Sequence, residues 1–91
     1  MTMSRLRIIV KGVVQGVGFR LYAKQEAARL GLAGYVCNRS DGGVECCIEG
    51  DDVAVQGFLR WAYQGPDLAH VDSVDVQNER YMQEFQRFEV R

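Results

Sequence analysis

The chain has 91 residues, 47% of them hydrophobic, enough to bury a single core, so residues 1–91 are expected to form one domain. Eleven Lys and Arg stand against 12 Asp and Glu, a net charge of -1, which gives no global basic field to gather nucleic acid or anionic lipid; any anion must be held locally. Ile8-Ile9-Val10, the longest apolar run near the start, falls far short of a signal-peptide core or a membrane span, so no membrane partner is expected and a cytoplasmic setting is the default.

Leu6, Ile8 and Val10 alternate with Arg5, Arg7 and Ile9, a period of two that predicts a first strand ending at Gly12. From Phe19 the apolar residues fall at Phe19, Ala23, Ala27 and Leu30, which predicts a helix beginning near Phe19 and stopping at Gly31, with Lys24, Glu26 and Arg29 left for solvent. Two short extended segments follow, Gly34–Asn38 and Val44–Glu49, separated by RSDGG, a strong hairpin signal. A three-residue loop with a left-handed glycine buries Val36, Val44, Cys46 and Ile48 together and is expected to set Val36 opposite Ile48, with Cys37 directly across from Cys47. On the other face Glu45 and Glu49 are expected to be solvated.

Asp51 and Asp52 offer an N-cap to a second helix carrying Val55, Phe58, Leu59 and Ala62, which Gly65-Pro66 ends. Trp61 and Tyr63 near its end are expected to anchor it against the sheet. Val71, Val74 and Val76 mark a less regular fourth strand, and Phe88–Arg91 a short terminal one. His70 reads as an ordinary surface histidine. Three cysteines without CxxC spacing fit reduced thiols in a cytosol. Cys37, Cys46, Cys47 and His70 could in principle hold zinc, but neighbours in a strand point to opposite faces, and no metal site is assigned.

The order strand, helix, strand, strand, helix, strand predicts an α+β ferredoxin-like βαββαβ sandwich, two helices on one face of a mainly antiparallel sheet of four or five strands. Strand three lies between strands one and two, which run the same way, so the loop after strand one and Asn38 at the end of strand two should meet at one edge. That loop, KGVVQGVGFR, carries Gly12, Gly16 and Gly18 into a helix N-terminus, where unpaired amides and the dipole favour an anion. Arg20 adds a planar fork of donors suited to phosphate. Neither G-x-x-x-x-G-K-[ST] nor G-x-G-x-x-G is present, so nucleotide binding loses its main support.

The stretches Gly12–Arg20 and Gly34–Glu45 resemble the two signature motifs of the acylphosphatases, and the spacing and length of the whole chain are similar to that family. The resemblance implies hydrolysis of an acyl phosphate to a carboxylate and inorganic phosphate, the latter or a similar anion also acting as inhibitor, with no metal or organic cofactor. It implies a phosphate loop from the backbone of Gln15, Gly16, Val17, Gly18 and Phe19, a phosphate-binding and catalytic role for Arg20, and an Asn38 that positions the attacking water. Arg39, where relatives often carry a small hydroxyl, is expected to bring charge near the mouth. Because the chain stops at Arg91, where many relatives add an aromatic residue, no part in the site is assigned to the tail. A monomer without a nucleic-acid partner is the default.

Two rival readings keep the fold without the hydrolysis. An RNA-recognition domain would show stacking aromatics on its open sheet face, whereas Phe19 opens a helix here. A phosphate-binding module of a larger enzyme would need chain beyond residue 91.

Overall fold

The computed structural model describes residues Met1–Arg91. Its elements in chain order are β1 (Met3–Val13), α1 (Phe19–Leu30), β2 (Ala33–Asn38), β3 (Val44–Asp51), α2 (Asp52–Gln64), β4 (His70–Glu79) and β5 (Phe88–Val90). The sheet order is β4-β1-β3-β2-β5, antiparallel except for the β2–β5 pair. This is the βαββαβ ferredoxin-like fold with a fifth strand at the edge.

Alternation along the strands decides which face is buried. Leu6, Ile8 and Val10 of β1, Val36 of β2 and Val44, Cys46 and Ile48 of β3 form the core with Phe19, Ala23 and Ala27 of α1 and Val55, Phe58 and Ala62 of α2. Phe19 and Phe58 are completely enclosed, and burial of each stabilises the fold by about 1.5–3 kcal/mol. Trp61 bridges the two helices, its ring centroid 5.1 Å from Phe19 and 5.5 Å from Phe58. Tyr63, expected beside it, is instead exposed, because it sits on the opposite side of α2. No helix is long and apolar enough to cross a membrane.

The hairpin loop is of the expected class but its register differs. Arg39 N–H donates to Gly43 O at 2.8 Å and Gly42 N–H to Arg39 O at 3.2 Å, with Gly42 left-handed at φ 92°. Ser40-Asp41-Gly42 is thus the loop, and Val36 pairs with Cys46 rather than Ile48. Cys37 consequently faces Glu45, and Cys47 faces Tyr35, so Cys37 and Cys47 are not opposite one another. Cys46 lies in the core under the helices, where burial pushes its thiol far up.

The helix-free face carries charge rather than solvent alone. Arg5 and Arg7 of β1 donate to Glu79 of β4 at 2.9 and 2.8 Å, and Arg7 also donates to Glu45 of β3 at 2.7 Å. Glu49, expected in solvent, is 3% exposed. Its carboxylate accepts main-chain N–H groups of Met82, Gln83, Glu84 and Phe85 and lies 3.4 Å from the Arg5 guanidinium. The segment joining β4 to β5 is thereby strapped across the open face, which covers the acid.

Candidate active site

Two buried residues pin the loop between β1 and α1, Val14 at its start and Phe19 at its end. Between them Gly16 and Gly18 have φ of 75° and 81°, the left-handed region that L side chains avoid. Gly18 is also the N-cap of α1, and no side chain caps that helix. Its first-turn amides are therefore left for an outside acceptor, at the positive end of the dipole.

Arg20 stands in that first turn and Asn38 ends β2, far apart in sequence. Because β1 and β2 both run antiparallel to β3, their carboxyl ends share one sheet edge. Arg20 and Asn38 accordingly line one open cavity of about 390 Å³ together with Gly16, Gly18 and Phe19. Both side chains are exposed. No acidic residue lines the cavity, whose charged members are Arg20 and Lys24. On a molecule of net charge -1 this is a local positive site.

Gln15 and Val17 do not line it. The Gln15 carboxamide turns away to donate to Arg39 O at 2.8 Å and Gly43 O at 2.9 Å, tying the loop to the hairpin turn. Val17 packs against the core and borders a second cavity with Tyr22 and Trp61.

Arg39 brings no charge to this mouth. Its guanidinium is turned to Asp41, at 3.2 Å, and Glu45, at 3.0 Å, on the helix-free side. The Gly43 N–H, and behind it Arg39, hold the Asp41 carboxyl below its ordinary range. The tail, by contrast, does reach the site: Arg20 Nη1 donates to the main-chain oxygen of Arg91 at 3.0 Å, and Val90 lines the cavity. Parallel pairing of β5 with β2, continued by Arg91 N–H donating to Val36 O, puts the tail there. Leu21 and Lys24 also line the cavity without having been singled out. Lys24 had a legible signal, four residues after Arg20 and hence on the same side of the helix.

The acylphosphatase family model matches residues 6–90. The chain is 53% identical to an acylphosphatase of a Nocardioides species over 75 residues, 82% of this chain and 76% of that protein. It is 44% identical to the acylphosphatase of Geobacter sulfurreducens over 87 residues, 96% of each. The crystal structure of the Bacillus subtilis acylphosphatase superposes with a TM-score of 0.91 at 39% identity, covering 98% of both chains.

Proposed function

Because this chain belongs to the acylphosphatase family and hydrolyses acyl phosphates, we propose that the cavity-facing amides of the Gln15–Phe19 loop, at Gly16, Gly18 and Phe19, and the Arg20 guanidinium hold the phosphoryl group while Asn38 aims the attacking water. Residues 1–91 act as one catalytic domain in this reading. The observation that carries it is the meeting of Arg20 and Asn38 at one cavity with Gly16 and Gly18.

Oxygen of the water attacks phosphorus in line, and the bond from phosphorus to the acyl oxygen breaks. The electron pair leaves with the carboxylate. A carboxylate leaves readily, so no strong general acid is needed; the loose phosphoryl transition state asks for positioning and charge stabilisation. Amides and guanidinium supply the charge term without reorganising. The Asn38 amide accepts a hydrogen bond from the water and adds no charge to repel the phosphate. The water's proton passes to a phosphate oxygen, since no carboxylate or histidine lines the cavity to take it.

The open sheet face supports this reading over an RNA-binding one. Tyr35, an aromatic on that face, has its hydroxyl bonded to Glu45 and its ring under the Arg91 guanidinium at 4.3 Å. Three free thiols suit a cytoplasmic enzyme, with a monomer sufficient for the site.

The test is phosphate release from benzoyl phosphate in the presence of a chelator. Arg20→Ala is expected to lower kcat/KM by about 10² to 10³ or more, as for loss of a charge-stabilising donor. Asn38→Ala is expected to collapse kcat while leaving inhibition by inorganic phosphate nearly unchanged. Full turnover by Asn38→Ala would show that water positioning is the wrong role.

A further inference from the structure

Lys24 lies in the cavity wall with Arg20 but one turn farther along α1. Four residues of helix separate the two Cα atoms by about 6 Å along the axis. Helical side chains lean back toward the N-terminus, so the Lys24 stem is directed toward the cradle rather than away from it. Lys24 is exposed and has no acidic partner: the nearest acid along the helix, Glu26, is paired with Arg29. Leu21 and Val90 line the same wall and are apolar. The cavity thus offers two cations a helical turn apart with an apolar surface beside them and no acid.

One phosphoryl group occupies one cation and the loop amides; it leaves the second cation for something else in the substrate. Resting on the reading of this cavity as the phosphate site, we propose that Lys24 binds an anionic group on the acyl half, so that acyl phosphates bearing a carboxylate on the acyl moiety are preferred. A compact ammonium on a flexible stem suits a carboxylate whose distance from the phosphate varies. Lys24 is then a specificity-determining residue. Because a remote carboxylate is bound equally in ground and transition states, its effect falls on KM rather than kcat.

The experiment compares kcat/KM for benzoyl phosphate and 3-carboxybenzoyl phosphate. Lys24→Gln is expected to reduce the preference for the carboxylated substrate about fivefold, the scale of a partly exposed ion pair. Lys24→Glu is expected to reverse it and to favour 3-(trimethylammonio)benzoyl phosphate over benzoyl phosphate. Thermal melts should be unaltered, since the side chain is exposed and unpaired. Equal losses on both substrates would overturn the proposal, because they would mean that Lys24 only attracts the phosphate. An unchanged ratio in both variants would overturn it as well. Failure of the underlying reading looks different: Arg20→Ala would then hydrolyse benzoyl phosphate at the full rate and keep its inhibition by inorganic phosphate, whatever the Lys24 variants do.

Discussion

Gln15 gives both N–H groups of its carboxamide to carbonyls of the hairpin turn, Arg39 O and Gly43 O. The loop after β1 and the turn after β2 are thereby braced, and Asn38 stands immediately before that turn. Loss of the brace takes the second donor from each of two part-buried carbonyls, which keep only the main-chain bonds of the turn, and frees the loop from the strand end that carries Asn38. Gln15→Ala is expected to lower the melting free energy by only about 1–2 kcal/mol, the net worth of two neutral hydrogen bonds. The effect on kcat/KM should be larger, about tenfold or more, because small misplacements of a positioning group are costly. Steady-state kinetics beside a denaturant melt would check this, and equal small effects on both would show that the brace is only structural. Gln15→Glu is expected to be worse, since a carboxylate has no donor for either carbonyl.

Among the elements, the segment between β4 and β5 depends most on a single side chain. Glu49 Oε2 accepts from Met82 and Gln83, and Oε1 accepts from Glu84 and Phe85. Gln83 is held at φ 52°, a left-handed conformation unusual for a residue with a side chain. Glu49→Gln would turn an NH2 toward two of those donors, and a loss of about 3 kcal/mol is expected, as for a broken buried ionic contact. Hydrogen exchange should report the loosening first in residues 80–87; uniform loss of protection would argue against a local strap. Neither the strap nor the buried acid was legible in the sequence. An acid at an outward strand position reads as solvated, and the segment that covers it has no periodicity. The β2–β3 register was illegible for another reason. A shift of two residues leaves every side chain on its own face, so burial of Val36, Val44, Cys46 and Ile48 fits either pairing, and only the hydrogen bonds of Ser40-Asp41-Gly42 decide. Strands, helices and the meeting of Arg20 with Asn38 were legible because period and topology alone determine them. The tail's contact with Arg20 was not, since parallel addition of β5 beside β2 leaves no mark in so short a segment.

Across the whole molecule, alternating charges run from the hairpin turn through β1 and β4 and back to β3: Asp41, Arg39, Glu45, Arg7, Glu79, Arg5 and Glu49. The two ends differ, for Arg5 and Glu49 are buried while Asp41 is exposed. Salt should therefore screen the Asp41 end and leave the Arg5 end largely intact. Hydrogen bonds from Arg7 and Arg5 hold the Glu79 carboxyl below its ordinary range. At Glu49 burial pushes the carboxyl up, but the amides of the strap and Arg5 outweigh it and the net direction is down. A carboxyl whose pKa is lower folded than unfolded makes the unfolded chain bind more protons in acid. Its stabilisation is present above the unfolded value, about 4.3 for a glutamate, and is lost as pH falls through the folded value. Tyr35 acts in the opposite range. Burial first, and then Glu45, push its phenol up to about 12, so its contribution is complete below about pH 10 and fades as pH rises through the folded value. The melting temperature is expected to be level between about pH 6 and 9 and to fall steeply below about pH 4.5. Glu79→Gln should melt lower at neutral pH yet fall less steeply in acid, because the removed carboxyl no longer contributes to the proton difference. Melts of both proteins from about pH 3 to 9 decide the matter, and parallel curves across the acid range would place the acid sensitivity in carboxylates outside this row.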